Sequence, residues 1–129
     1  MKVVLLFVLA GLMICLGTAS ASEQTESAYV PGMGEIMATT QMRHAKLWLA
    51  GQARNWELAD YELDEIKEGF EDAVKYHPIF KGVPVSGMLD KFTSSALNEL
   101  DHAVHQKNGA QFEKSFDDLT IACNSCHVA

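Results

Sequence analysis

The run Cys123-Asn124-Ser125-Cys126-His127 has the pattern C-x-x-C-H and is followed by only two more residues. Its two thiols share one face of a helix, and an imidazole comes directly after the second thiol. Thiols at this spacing can form thioethers with the two vinyl groups on one edge of a porphyrin, and the adjacent imidazole can bind the iron from below. The motif therefore predicts the covalent attachment of one haem c through Cys123 and Cys126, with His127 as the proximal iron ligand.

Three other chemistries use two cysteines at this spacing. A thioredoxin-like redox pair opens a helix beside a βαβ unit, whereas this motif closes a predicted helix and no strand is predicted. A zinc site that includes His127 needs a fourth ligand, usually from a second Cys or His pair. An ordinary disulfide between Cys123 and Cys126 in a structural bundle is the third alternative.

Residues 1–21 have the pattern of a secretory signal peptide. Lys2 provides the positive charge, residues 3–16 form the apolar region, and Ala19-Ser20-Ala21 forms a small-residue cleavage site. The apolar run is too short to span a bilayer comfortably. Cleavage would also remove Cys15, which leaves only the two motif cysteines. Because bacteria attach haem c outside the cytoplasm, we expect a periplasmic protein without a membrane span.

The predicted mature chain is acidic and has the size of one domain. Removing 21 of 129 residues leaves 108, and losing Lys2 changes the formal charge from −7 to −8. An acidic surface argues against nucleic acid and anionic membranes as partners. It is compatible with a basic redox partner protein, although many soluble proteins are acidic.

The mature chain is predicted to consist of a flexible leader over residues 22–32 and a helical domain over residues 33–129. Pro31 and Gly32 separate the two parts. Four stretches of the domain have apolar residues at helical spacing, and the second has an acidic outer face that includes Glu62. The predicted inward stripes are Met33, Met37, Thr40, His44, Leu47 and Gly51; Ala59, Leu63, Ile66, Phe70, Ala73 and His77; Leu89, Phe92, Ala96, Leu100 and Ala103; and Phe112, Phe116, Leu119, Cys123 and Cys126. The pattern predicts an all-α fold, an up-down-up-down antiparallel four-helix bundle, with its third helix over residues 87–107 and its longest loop over residues 78–86.

A signal peptide, four helices and a single C-x-x-C-H motif near the C-terminus resemble the class II c-type cytochromes, the cytochrome c′ family. The resemblance covers the mature chain in architecture, and Cys123, Cys126 and His127 match the family motif residue by residue. The run from residue 43 to residue 47, Arg-His-Ala-Lys-Leu, is similar to the Arg-Gln-x-x-Met/Leu run on the family's first helix. In that family the Met or Leu faces the distal side of the haem, so the resemblance implies Leu47 there.

Topology gives a different distal residue. In an up-down bundle, the start of helix one, the end of helix two, the start of helix three and the end of helix four lie at the same end. Counting about 25 Å back along helix one from its C-terminus, at 1.5 Å per residue, reaches the region of Glu35. Because the iron lies somewhat inward of its proximal histidine, the window for the distal ligand is residues 37–44. We predict Met37 as this ligand and His44 as its alternative. The pocket residues expected at the same end are Met33, Phe70, His77, Met88, Leu89, Phe92 and Leu119.

The sequence supports two functions for such a site. A haem with His127 and Met37 as ligands would be six-coordinate and would carry single electrons to and from a redox partner. A five-coordinate haem with an apolar distal side, which follows if Leu47 faces the iron, would bind nitric oxide or carbon monoxide. No pair of nucleophile and base stands out, so we do not expect an enzyme. A homodimer is left open.

Overall fold

The computed structural model describes residues 29–129; the predicted signal peptide and residues 22–28 of the predicted leader lie outside the described residues. Five helices and one short antiparallel hairpin follow: α1 (Met33–Gln52), α2 (Trp56–Tyr76), β1 (Ile79–Phe80), β2 (Val83–Pro84), α3 (Val85–Phe92), α4 (Ser94–His105) and α5 (Gly109–Val128). The predicted all-α class is confirmed for this part of the chain. None of the helices within it is both long and apolar enough to cross a membrane.

The connections before α2 and α5 have the same design. Asn55 and Asn108 each cap the following helix, because their side chains accept hydrogen bonds from the backbone N–H groups of Leu58 and Gln111. The residue before each cap has a left-handed backbone, with φ 54° at both Arg54 and Lys107. Each reversal is therefore a tight turn that ends in an asparagine cap.

The third helix is divided at Thr93, which corrects the single helix predicted over residues 87–107. The hydroxyl and the backbone N–H of Thr93 both donate to the carbonyl oxygen of Leu89, each at 2.8 Å. A threonine hydroxyl that shares a carbonyl with the helical ladder bends the helix, and Thr93 is only 2% exposed at the joint. α3 and α4 are therefore two short helices joined at a buried residue.

The predicted loop over residues 78–86 contains the hairpin, although no strand was expected. Its turn residues Lys81 and Gly82 have φ values of 51° and 84°, the left-handed pair that closes a two-residue hairpin. Each strand is only two residues long. A segment this short has no measurable alternation of apolar and polar residues, so the sequence pattern could not reveal it.

Contacts between helices run in opposite directions along three pairs. As residue numbers rise along α1, the numbers of the residues contacted in α2 and in α5 fall, and the contacts between α2 and α4 follow the same rule. The contacts that show this are Thr40 with Gly69 and Arg43 with Glu65 for α1 and α2; His44 with Thr120 and Trp48 with Phe116 for α1 and α5; and Lys67 with Asp101 and Asp60 with His105 for α2 and α4. These three helix pairs are antiparallel.

The buried core is concentrated away from the C-x-x-C-H motif. The large side chains with almost no exposure are those of Phe112, Leu47, Leu63, Ile66, Leu100, Leu119 and Val104. Trp48 and Trp56 pack against this cluster through Phe112, with ring centroids 6.3 Å and 5.9 Å apart. α3 contributes no fully buried residue. The protein therefore has a tightly packed middle and a looser end where α3 lies.

Glu62 corrects the predicted acidic outer face of α2, because it is only 3% exposed. Its carboxylate pairs with Arg43 of α1 at 3.2 Å, and Lys46 lies 4.0 Å away. Ile36 is also buried, at 6% exposure, whereas Met33, Met37 and His44 are half-buried. The inward face of α1 is thus rotated slightly from the predicted stripe.

Candidate haem site

Cys123 and Cys126 lie in the last turns of α5, where the helix leaves the buried core. Both are free and half-buried, and Cys123 packs against the core cluster. Burial raises the pKa of both thiols, and the neighbouring Cys126 adds to the effect at Cys123. The C-terminal end of a helix also disfavours a thiolate. Because a redox-active C-x-x-C pair needs a lowered thiol pKa, this environment does not favour the thioredoxin-like alternative.

His127 follows in the last turn of α5 and is exposed. The helix persists through the motif, and the hydroxyl of Ser125 donates to the carbonyl oxygen of Ile121 at 2.8 Å. Cys123, Cys126 and His127 are therefore presented by one continuous helix. Their relative positions depend only on α-helical geometry.

His44 of α1 faces α5 one turn before the motif. Its ring stacks on Phe116 with centroids 4.3 Å apart, and its Nε2 lies 3.1 Å from the hydroxyl oxygen of Thr120. That hydroxyl donates to the carbonyl oxygen of Phe116, so it accepts from the Nε2–H of His44. Burial lowers the pKa of His44, which keeps the imidazole neutral at pH 7. His44 is already engaged and would have to break its bond to Thr120 to bind iron through Nε2.

Met37 lies at the level of His127, judged from the contacts between α1 and α5. His44 is paired with Thr120; Met37 is seven residues before His44, and His127 is seven residues after Thr120. The two helices are antiparallel, so equal steps in opposite directions reach the same level. Leu47 is fully buried in the core and lies about 15 Å from Met37 along the helix, at 1.5 Å per residue. Leu47 is therefore much deeper than the motif.

The predicted pocket residues are half-buried, with one exception. Leu119 is fully buried one turn below Cys123. The half-buried members are Met33, Met37, Phe70, His77, Met88, Leu89 and Phe92. Phe70 and Leu89 line a cleft of about 400 Å³ between α2 and the α3–α4 pair. Apolar side chains with free surface thus surround the end of the core.

His77 joins the start of α1 to the end of α2. Its Nε2 lies 2.9 Å from the carbonyl oxygen of Pro31, and its ring meets the edge of Phe80 at 6.4 Å. α3 follows the hairpin and packs against both α2 and α5. We call this end of the molecule the motif end: the start of α1, the end of α2, the hairpin, α3 and the end of α5.

The residues at the motif end fit a haem c. Two thiols stand one helical turn apart and an imidazole follows the second, while half-buried apolar side chains lie on α1 and α3, which both contact α5. Within residues 29–129, no three His, Cys, Asp or Glu side chains converge as a group of metal ligands. Thr120 and Ile36 are the site neighbours that sequence reasoning missed. Only the spacing of Thr120, four residues after Phe116 on α5, could have suggested its contact with His44.

Comparisons with models of protein families, with curated proteins and with solved structures find no match for this chain. Its function is therefore inferred from the motif and from the geometry around it.

Proposed function

We propose that this protein is an exported c-type cytochrome that carries single electrons on one covalent haem. Cys123 and Cys126 form the thioethers, and His127 is the proximal ligand. The observation that carries the proposal is the C-x-x-C-H motif at the end of α5, where Cys123 packs against the core cluster and Cys126 is half-buried. The motif needs no other part of the chain to form, because one helix presents all three residues.

The proposed architecture is an up-down-up-down four-helix bundle in which α3 and α4 together act as the third helix. The three antiparallel helix pairs support it, as does the contact of α4 with α5. In this arrangement the haem fills the motif end. Burying a porphyrin there would cover the half-exposed side chains of Met33, Met88 and Phe92, which the helices alone leave in contact with water.

Met37 is the proposed distal ligand. Its support is its level along α1, opposite His127, and a flexible thioether that can reach toward the bundle axis. His44 remains the alternative, disfavoured by its bond to Thr120 and its stacking on Phe116. When bound, the haem would supply a one-electron couple, and a Met/His ligand pair raises its reduction potential. The chain's own part is to fix the ligands and to keep water from the apolar face.

One preparation tests the function and its alternative. The full chain is expressed in an export-competent bacterial host that attaches haem c, and its mass and reduced absorption spectrum are measured. An electron carrier gives a mass larger than the mature polypeptide by one haem and a sharp low-spin α band. A broad high-spin Soret band that sharpens with carbon monoxide would instead support the gas-binding function. Colourless protein with the mass of the bare polypeptide would overturn the proposal.

The matched variants are Cys123→Ser, Cys126→Ser and Ser125→Ala. Each cysteine variant loses one thioether, so less haem should survive denaturing extraction. Ser125→Ala lies between them and removes only the bond to Ile121. It should retain haem fully, which separates the loss of thiols from a general disturbance of the helix end.

A further inference from the structure

One segment of this acidic chain carries a net positive charge and forms no ion pairs of its own in the part of the chain that the structure describes. Residues 75–92 contain three lysines and one aspartate, a net charge of +2. Residues 22–74 contain 11 acidic and four basic residues, and residues 93–129 contain five acidic and two basic residues. The segment of residues 75–92, which we call the basic segment, is net positive, whereas residues 22–74 and residues 93–129 are each net negative as a whole. Residues 36–56 also carry a net charge of +3, but Arg43 and Lys46 of that stretch pair with Glu62.

The three lysines of the basic segment are directed over aromatic rings. The Nζ atoms of Lys75, Lys81 and Lys91 lie 4.7 Å, 5.5 Å and 4.8 Å from the ring centroids of the neighbouring Tyr76, Phe80 and Phe92. Within residues 29–129 none of the three forms an ion pair with a carboxylate, whereas the basic residues Arg43, Lys46, Lys67 and Lys114 do. Their charges are therefore available to a partner.

The hairpin in the middle of the basic segment exposes apolar side chains. Ile79 is 60% exposed, and Phe80 and Val83 are each 40% exposed. An apolar centre with charged residues around it is the usual arrangement of a protein–protein contact surface. The hairpin is also held in place, because His77 is bonded to Pro31 and the α3 helix after it packs against α5.

We propose that the hairpin and its three lysines form the docking surface for an acidic redox partner protein. This inference rests on the proposed function, since the basic segment belongs to the same motif end as Cys123, Cys126 and His127. The net charge by itself was compatible with a basic partner, whereas the local charge of the basic segment favours an acidic one. Docking at this end would bring the partner close to the cofactor, and the surrounding acidic surface would repel an acidic partner that arrived elsewhere.

A membrane surface is the competing occupant, because lysines and apolar side chains also suit anionic lipid. The charge of the whole mature chain, −8 after the loss of Lys2 from the −7 total, opposes approach to such a surface. An acidic protein can present its charge locally, against three lysines, so the observations favour a protein partner.

The binding test uses ¹⁵N-labelled protein as isolated from the host above, with flavodoxin as the acidic probe protein. Titration at low ionic strength should shift amide signals mainly within residues 75–92 and at the end of α5, and added salt should reverse the shifts. The probe in a parallel experiment is a vesicle of phosphatidylglycerol and phosphatidylcholine. Shifts elsewhere on the surface would overturn the docking surface, and co-sedimentation with vesicles without a response to flavodoxin would overturn the choice of partner.

The rate test compares two triple variants that remove equal charge. Lys75→Gln/Lys81→Gln/Lys91→Gln should slow reduction of the haem by fully reduced flavodoxin about tenfold at low salt, because steering by local charge is lost. In this reaction one electron leaves the flavin and converts ferric to ferrous iron, and no covalent bond breaks. The control Lys46→Gln/Lys107→Gln/Lys114→Gln should change the rate much less.

Failure of the docking surface and failure of the function give different results. Equal slowing of the two triple variants in a coloured protein would overturn the docking surface and leave the cytochrome assignment intact. Colourless protein would overturn the cytochrome assignment, and the amide shifts on titration with flavodoxin would still decide whether the basic segment binds an acidic protein. Ile79→Ser/Val83→Ser should weaken flavodoxin binding at low ionic strength, because the apolar contact of the hairpin is lost, and unchanged binding would remove the hairpin from the docking surface.

Discussion

At the scale of single residues, the buried carboxylate of Glu62 explains how α1 and α2 hold their register. Arg43 donates to Glu62 through Nη1 at 3.2 Å and to Glu65 through Nη2 at 2.8 Å. Lys46 adds a weaker, half-exposed contact to Glu62. Removing the charge of Glu62 leaves Nη1 of the facing guanidinium without its charged partner, although Glu65 still pairs with Nη2, and this costs more than breaking an exposed pair.

Glu62→Gln should therefore destabilise the protein by about 2 kcal/mol, a figure reduced from that for fully buried pairs because Arg43 keeps some exposure. The matched control is Glu65→Gln, which faces the same arginine from a more exposed position and should cost below about 1 kcal/mol. Urea unfolding followed by circular dichroism measures both. Equal losses would show that burial of Glu62 has no energetic weight.

The proposed distal ligand is a single side chain, that of Met37. Met37→Ala should convert a low-spin haem spectrum to a high-spin one, because alanine cannot reach the iron. Met33→Ala, one turn earlier on α1, should leave the spectrum low-spin. If the Met37 variant kept the low-spin spectrum, the assignment would move to His44, and His44→Ala would then be the variant that changes it.

At the scale of helices, α1 and α5 approach each other where Gly51 meets Phe112. A Cβ at Gly51 would overlap the ring of Phe112, which is itself packed between Trp48 and Trp56. The ring has no free direction in which to move, because Phe112 is only 1% exposed. The absence of a side chain at residue 51 is therefore what allows this close packing.

Gly51→Ala should lower the free energy of unfolding by about 1 to 2 kcal/mol, the cost of overpacking less the gain in helix propensity. Gly34→Ala is the control on the same helix, since a Cβ there meets nothing within 4 Å. It should leave stability unchanged or raise it by up to about 1 kcal/mol. Chemical unfolding of both variants measures the difference, and equal stabilities would contradict the packing argument.

The end of α4 gives a pH-dependent contribution through His105. Its Nδ1–H donates a hydrogen bond to the carbonyl oxygen of Asp101, 2.9 Å away, and the carboxylates of Asp101 and Asp60 lie nearby. The carbonyl, followed by the two charges, raises the pKa of His105. The stabilisation by protonated His105 is thus complete below the ordinary pKa of about 6.5 and is lost as the pH rises through the higher folded value.

His105→Gln should therefore lower the melting temperature slightly at about pH 5.5 and leave it unchanged at about pH 9. His102→Gln, one turn earlier, is the control, because the ring of His102 meets the amide of Gln106 and not a carboxylate. A loss that is common to both variants would not come from the carboxylates beside His105. Thermal unfolding at the two pH values measures both variants. A larger effect of His105→Gln at high pH than at low pH would contradict the predicted direction of the pH dependence.

At the scale of the whole molecule, packing is uneven between the two ends. The sealed part contains Leu63, Leu100 and Phe112 with exposures of 0%, 0% and 1%. The motif end has half-buried side chains on α1, α2 and α3, and α3 buries none completely. Local opening is easiest where few apolar contacts would be lost, so the motif end should be the less stable part in protein that carries no haem.

Hydrogen exchange of Cys123→Ser/Cys126→Ser should show this difference. Amides of residues 59–66, 100–104 and 112–119 should exchange slowly, and those of residues 79–92 should exchange fast. The haem-loaded protein should protect residues 79–92 as well. Uniformly fast exchange in the variant would mean that the whole chain needs the haem to fold. Equal protection of residues 79–92 in both forms would show that the haem does not stabilise the motif end.

Sequence alone was sufficient for the features that one helix can specify. The spacing of Phe112, Phe116 and Leu119 predicted the buried stripe of α5, and the structure confirms that all three are buried. The haem attachment was likewise predicted from the five residues of the C-x-x-C-H motif alone, and it stays a prediction. Periodicity works here because each side chain's direction depends only on its position in its own helix.

Tertiary structure decided the features that depend on residues distant in sequence. The burial of Glu62 depends on Arg43 across the α1–α2 contact, and the position of His44 depends on Thr120, 76 residues away. The bend at Thr93 and the hairpin depend on backbone geometry too short for any periodic signal. A charged or short segment has several acceptable local environments, and only the partner that packs against it selects one.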